Sequence, residues 1–146
     1  MGTGMYKRVL VPLDGSPLAE AVLPYVVELA RDAGPQEVVL LSIVEEGTGQ
    51  KLHVVEGYLR DHAIQMEKTW REGKTIMPKS RTVAINGPVG LVATMILRFA
   101  EDNETDLIIM STHGRSGINR WLLGSIAEKV IRGADIPVLL KPPTPS

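Results

Sequence analysis

The chain has 146 residues, 44% of them hydrophobic and 23% charged, with a formal net charge of -1 and no cysteine. This composition is typical of a folded globular protein, and the length fits one domain over residues 1–146 with flexible ends at 1–5 and 142–146. Near-neutral charge gives no reason to expect nucleic acid as a partner, and the absence of cysteine excludes disulfides and thiol catalysis. Without an apolar run of about 18 residues or a signal peptide, we expect a cytoplasmic protein with no membrane insertion.

The first strand and helix are predicted from a short apolar run and from the turn and helix-capping residues that follow it. Residues 8–13 (RVLVPL) form the strand. Ser16 is the predicted helix N-cap, with Pro17 at the first helical position, where its missing N–H costs nothing. Apolar positions, Tyr25 among them, then recur every three or four residues as one helical face until Gly34 stops the helix.

Four further strands and three further helices are predicted, and they alternate along the rest of the chain. The strands are residues 38–44, 80–85, 106–110 and 136–140. The helices are residues 51–71, 89–100 and 126–132, and residues 47–49 form a flexible connection. This alternation is typical of an α/β protein with an open parallel sheet and helices on both faces.

Pro137 indicates that the fifth strand lies at an edge of the sheet or that this proline begins the strand, because proline cannot donate to a sheet ladder. An apolar edge strand must be covered or paired. The C-terminal tail or a helix could cover it, or a second copy of the chain could pair with it. We predict a homodimer.

Ligands of open parallel sheets bind beyond the C-terminal ends of the strands, where the strand order switches direction. Asp14 follows the first strand, Ile43 lies near the end of the second, and residues 111–114 follow the fourth. If the first and fourth strands are neighbours, these residues converge on one crevice.

The stretch STHGRSGINRWLLGS, residues 111–125, is rich in glycine and introduces the last helix. Gly114 and Gly124 could let the backbone approach a phosphate. Ser125 and Glu128 match a capping box, which predicts the helix N-terminus at Ser125. Basic residues surround this segment: Arg115, Arg120, Lys129 and Arg132. The segment is either a phosphate site or an ordinary turn followed by a cap.

Three stretches, KRVLVPLDGSPLAEAVLPYVVELA, DLIIMSTHGRSG and LLGSIAEKVIRGADIPVLL, resemble the universal stress protein family. The resemblance spans about residues 6–141 and is least characteristic between 47 and 88. It implies a five-stranded parallel sheet of the Rossmann-like, adenine nucleotide alpha hydrolase-like kind, in strand order 3-2-1-4-5. Members of the family are often dimeric through the last strand.

The ATP-binding branch of that family has the motif G-x2-G-x9-G-[S/T]. Gly114 matches the second glycine, and nine residues separate it from Gly124 and Ser125, which match the end of the motif. Ser111 takes the place of the first glycine. Its hydroxyl can bond phosphate or ribose, and the substitution matters only if the backbone there requires glycine.

The resemblance implies a role for each matching position. Asp14 would meet the adenosine end, Pro12 and Leu13 would wall the adenine, and Ile43 would offer backbone contacts to the adenine edge. ATP, or alternatively ADP or AMP, would carry Mg²⁺ or Mn²⁺ on its phosphates. The phosphate end would be formed by Ser111, Gly114, Arg115, Gly124 and Ser125.

The remaining candidates for chemistry are few. His113 could act as a general base, although a loop histidine that packs or bonds locally is the simpler interpretation. His53 and His62 are nine residues apart on one predicted helix, which does not match the spacing of metal ligands. Residues 121–123 (WLL) form either an apolar anchor for the loop or a patch for a partner.

Three functions remain open. We favour an ATP-binding stress-response or signalling module that acts on an unknown regulatory protein. The alternatives are a weak ATP-hydrolysing enzyme and a dimeric interaction protein that does not bind nucleotide. A further hypothesis is that Gly124 lies against the phosphates, so that Gly124→Val would abolish ATP binding and leave the fold largely intact.

Overall fold

Five strands alternate with helices in the computed structural model, which describes residues 6–73, 78–113 and 123–142. The strands are β1 (Arg8–Pro12), β2 (Glu37–Glu45), β3 (Lys79–Gly87), β4 (Leu107–Ser111) and β5 (Val138–Lys141). The helices are α1 (Pro17–Glu20), α2 (Leu23–Ala33), α3 (Leu52–Gly73), α4 (Val92–Asp102) and α5 (Ser125–Gly133). The ends predicted to be flexible lie outside the described residues, apart from Pro142.

All four strand pairs are parallel, and the sheet order is β3-β2-β1-β4-β5, which confirms the predicted topology. The chain moves outward from β1 through β2 to β3 and then returns to add β4 on the other side of β1. The strand order therefore switches direction between β1 and β4, where the C-terminal ends of the strands leave room for a ligand.

Apolar side chains fill both faces of the sheet. Val9 and Val11 belong to the cluster beneath α1, α2 and α3, whereas Leu10 belongs to the cluster beneath α4 and α5. Successive residues of a strand point to opposite faces, so a central strand covered on both sides needs an uninterrupted apolar run. This explains why β1, β2 and β4 were recognisable in the sequence.

The predicted first helix is in fact two helices, α1 and α2, so the prediction of one continuous helix is wrong. Pro24 is the cause, because a proline has no N–H to donate to the carbonyl group of Glu20, four residues earlier. Tyr25 was predicted to lie on the apolar face of that single helix. Tyr25 is 50% exposed rather than buried, and the Lys141 ammonium lies 5.0 Å from its ring centroid.

Helix α4 begins three residues later than predicted. Gly90 has φ 83°, a left-handed conformation that cannot continue into a right-handed helix. Its N–H donates to Glu45 Oε2 at 2.9 Å, which holds the turn against the end of β2.

The other predicted boundaries agree within two residues, and β5 begins immediately after Pro137. Ser16 caps α1 by accepting the Ala19 N–H at 3.1 Å, and Gly34 ends α2 with φ 62°, as predicted. Across the described residues, no helix combines the length and apolar character needed to cross a bilayer.

Candidate functional site

A cavity of about 220 Å³ lies at the C-terminal ends of β2, β1 and β4, at the point where the strand order switches. Gly114 and Arg115 lie outside the described residues. The other predicted site residues all line this cavity: Pro12, Leu13, Asp14, Ile43, Ser111, Gly124 and Ser125. The structure therefore brings together three segments that are far apart in the sequence.

Asp14 is held at the cavity by a tight turn after β1. Its Oδ1 accepts the Ser16 N–H at 2.9 Å, an Asx turn, and Gly15 adopts φ 86°. Ser16 in turn caps α1. This local bonding helps to fix the position of the carboxylate at the end of β1.

The backbone of Ile43 faces the space where β1 would continue. The last paired register between β1 and β2 is Pro12–Leu41, and the Leu13 N–H donates to the Leu41 carbonyl at 2.8 Å. Alternate residues of a strand bond to the same neighbour, so Ile43 would be the next residue of β2 to bond β1. Because β1 has ended, its N–H and C=O are presented at the cavity instead.

Ser111 does not need to be glycine. It is the last residue of β4, it is buried, and its Oγ accepts the His113 N–H at 3.3 Å. Glu104 is the one described non-glycine residue with positive φ, so the backbone at Ser111 suits any L-residue. The departure from the glycine motif at this position therefore imposes no backbone strain.

Thr112 joins the two ends of the glycine-rich segment. Its carbonyl accepts the Gly124 N–H at 2.8 Å, and its own N–H donates to the Lys141 carbonyl at 3.0 Å. A Cβ added to Gly124 would stand 2.9 Å from the Thr112 carbonyl oxygen and 3.4 Å from His113 Cα. A Cβ at Gly124 would therefore meet the chain's own backbone, so Gly124→Val should disturb the fold and not leave it largely intact as expected. That the backbone of Gly124 lies against the phosphates stays a prediction.

The predicted capping box at Ser125 is also wrong. Gly124 is the N-cap of α5, with an extended backbone (φ -60°, ψ 151°) and no side-chain cap, and Ser125 is the first helical residue. The bond from Gly124 to Thr112 fixes this start, and Glu128 pairs with Arg132 at 2.7 Å. The first N–H groups of α5 thus begin beside the cavity, at the positive end of the helix dipole.

Several cavity residues were not recognised from the sequence. Thr48 belongs to residues 47–49, which we expected to be only a flexible connection, yet its Oγ1 donates to the Glu45 carbonyl at 2.9 Å. Gln50, which follows this connection, also lines the cavity. Ser42 could have been recognised from the sequence, because it is the one polar residue in the run VVLLSIV. An apolar wall from the cluster beneath α4 and α5 completes the cavity: Leu41, Ile43, Val92, Ile96, Met110 and Ala127.

His113 and His62 both contact neighbouring side chains of the fold. His113 is buried, and its Nδ1 lies 2.8 Å from Thr112 Oγ1, which confirms that it bonds locally. His62 contacts the Tyr58 ring edge-on, with its Nε2 3.7 Å from Glu20 Oε2. No three His, Cys, Asp or Glu residues cluster as metal ligands anywhere in the described ranges.

The apolar segment 121–123 is described only at its last residue. Leu123 is exposed, and residues 121 and 122 lie outside the described ranges together with Arg120.

A model of the universal stress protein family matches residues 5–142 of the chain. Universal stress protein MJ0531 of Methanocaldococcus jannaschii is 30% identical over 147 residues, covering 95% of this chain and 84% of its own length. The solved structure of MJ0577, from the same organism, is 30% identical with a TM-score of 0.70 and covers 97% of this chain and 99% of its own.

A universal stress protein solved in complex with cAMP has the same fold. Its TM-score is 0.69 at 19% identity, and the match covers 95% of this chain and 98% of the other.

Proposed function

The chain belongs to the universal stress protein family, and on that premise we propose that it binds an adenine nucleotide, ATP in the first place, in the cavity at the strand switch point. One observation carries this proposal. A single cavity joins an apolar wall, an unsatisfied backbone donor–acceptor pair at Ile43 and the uncapped start of α5. These are the three surfaces that a base, its hydrogen-bonding edge and a phosphate group require.

The base end follows from the backbone of Ile43. An N–H donor beside a C=O acceptor is complementary to N1 and the 6-amino group of adenine. Guanine carries a donor at N1 and an acceptor at O6, so the same backbone pair would oppose it. The apolar wall, with Leu41 and Met110, offers a surface for the ring faces. This end should therefore select adenine over guanine.

The phosphate end follows from α5 and the segment before it. The first N–H groups of α5 lack a side-chain cap, and the helix dipole favours an anion there. Ser111 and Ser125 add hydroxyl groups on the same cavity. In the family motif, Gly114 and Arg115 also belong to this end. Mg²⁺ or Mn²⁺ would be bound mainly by the phosphate oxygens and water.

The known structures support a nucleotide of this class, because a protein with this fold has been solved with cAMP. In the cell, we propose a stress-response or signalling module whose nucleotide occupancy alters its contacts with a regulatory partner. Hydrolysis of the nucleotide is not required for such a role.

We also propose a homodimer through β5. This strand lies at the edge of the sheet, and its residue Leu139 is 42% exposed. Leu139 is paired in register with Ile109, which places it on the α1–α3 side of the sheet. An apolar edge with free backbone groups is typical of a surface that a second copy covers.

The experiment that tests nucleotide binding is calorimetric titration of the whole chain with ATP, GTP and adenosine in the presence of Mg²⁺. We expect saturable binding of ATP, weaker binding of adenosine, and no comparable binding of GTP. Equal affinity for ATP and GTP would contradict the role of Ile43, and no binding of either would overturn the proposed function.

A further inference from the structure

Ser42 places a hydroxyl group without a partner in the wall of the cavity. The residue is only 6% exposed, and its side chain forms no hydrogen bond with any residue of the structure that is described. Within those residues, every side-chain N or O atom that is fully enclosed has a partner. The unpaired hydroxyl of Ser42 must therefore remain in reach of the cavity that the residue lines.

The alternation of β2 decides which side of the cavity Ser42 occupies. Leu40 and Val44 belong to the cluster beneath α1–α3, whereas Leu41 belongs to the opposite cluster. Ser42 shares the face of Leu40 and Val44, because residues two apart point to the same side. Thr48, from the loop before α3, also lines the cavity, but its hydroxyl already donates to the Glu45 carbonyl.

A buried hydroxyl that lacks a partner costs free energy, and most buried polar groups in folded proteins are satisfied. Replacing Ser42 by an apolar residue would complete an otherwise uninterrupted apolar strand. The hydroxyl instead faces a cavity, where a ligand can supply the missing partner.

We propose that Ser42 is a specificity-determining residue that forms a hydrogen bond with the base of the bound adenine nucleotide. This inference rests on the proposed function. Ser42 directly precedes Ile43, whose backbone faces the base edge. The strand β1 separates β2 from β4, so Ser42 lies about 10 Å across the sheet from Ser111 and the phosphate end. A hydroxyl at that distance reaches the nucleoside and not the phosphates.

The test is Ser42→Ala, measured by calorimetry with adenosine, AMP and ATP. Loss of one hydrogen bond should weaken all three by the same factor, about 2- to 10-fold. Purine riboside lacks the 6-amino group and 7-deazaadenosine lacks N7, and for one of these two ligands the variant should bind as well as the parent. A loss confined to ATP, or one that disappears only with 2′-deoxyadenosine, would overturn the assignment to the base.

Ser80→Ala is a matched control in the neighbouring strand, since the Ser80 hydroxyl is bonded to Glu67 Oε1 away from the cavity. Without ligand, Ser42→Ala should melt at the same temperature as the parent or slightly above it, whereas Ser80→Ala should melt lower. ATP affinity should be unchanged in Ser80→Ala.

These two measurements separate the inference from the proposed function. If the parent binds no nucleotide, the proposed function and this role of Ser42 both fail, but the melting comparison still reports whether the hydroxyl lacks a partner. If the parent binds ATP and Ser42→Ala binds it equally well, the Ser42 hydroxyl forms its hydrogen bond only with water. In that case the inference alone is wrong.

Discussion

Gly124 should be required by the fold itself, and Gly124→Ala measures this directly. The backbone at Gly124 (φ -60°, ψ 151°) is one that alanine adopts without strain, so the effect is purely steric. The new Cβ would stand 2.9 Å from the Thr112 carbonyl oxygen, which is closer than van der Waals contact allows. Real Cβ atoms essentially never come within 3.0 Å of another heavy atom, so either Gly124 or Thr112 must move.

Either movement lowers the free energy of unfolding. Thr112 is bonded through its N–H to the Lys141 carbonyl on β5, and its own carbonyl accepts the Gly124 N–H. Overpacking of this kind typically costs about 1–3 kcal/mol, with about 1 kcal/mol at stake in the strained hydrogen bond. For a chain of this size each kcal/mol lowers the melting temperature by about 2–4 °C. We therefore expect Gly124→Ala to melt roughly 2–12 °C lower without ligand.

Gly57→Ala is the matched control. Gly57 lies inside α3, its φ is not positive, and no heavy atom outside its own helix backbone lies within 4 Å of its Cβ position. Alanine should stabilise this helix by about 0.5–1 kcal/mol, so the control should melt higher. The assay is thermal or urea unfolding followed by circular dichroism. If Gly124→Ala is as stable as the parent while Gly57→Ala is stabilised, the steric argument is refuted.

Three further results are expected. Asp14→Ala should weaken adenosine and ATP by a similar factor, about 10-fold, because the carboxylate serves the nucleoside end; a much larger loss for ATP in calorimetry would contradict this. ATP should not be hydrolysed over multiple turnovers, since Asp14 and His113 are engaged in local hydrogen bonds and binding alone does not accelerate a reaction. Phosphate release at about 1 per second that His113→Ala abolishes would contradict this expectation. Leu139→Asp should convert a dimer to a monomer in light scattering, because it places a charge on the exposed apolar edge of β5. A parent protein that is already monomeric at roughly tens of micromolar would exclude the dimer.

The sequence by itself determined the class of the fold. Buried parallel strands need uninterrupted apolar runs, and these runs are local, so β1, β2 and β4 were visible without knowledge of their neighbours. The cap at Ser16 and the stop at Gly34 were predictable for the same reason, because each depends on the backbone within a few residues. The strand order was implied by the family resemblance rather than by these runs.

Tertiary structure decided the details of the site. The place of Ser111 in β4 showed that its backbone needs no glycine, and the contact with Thr112 showed why Gly124 does. Ser42 stands out in the sequence only as one polar residue in an apolar strand. Its lack of a partner emerges when β2 is set beside the end of β1 and the loop before α3. Contacts between segments distant in sequence, rather than local propensity, placed a Cβ against a carbonyl at Gly124 and a hydroxyl against a cavity at Ser42.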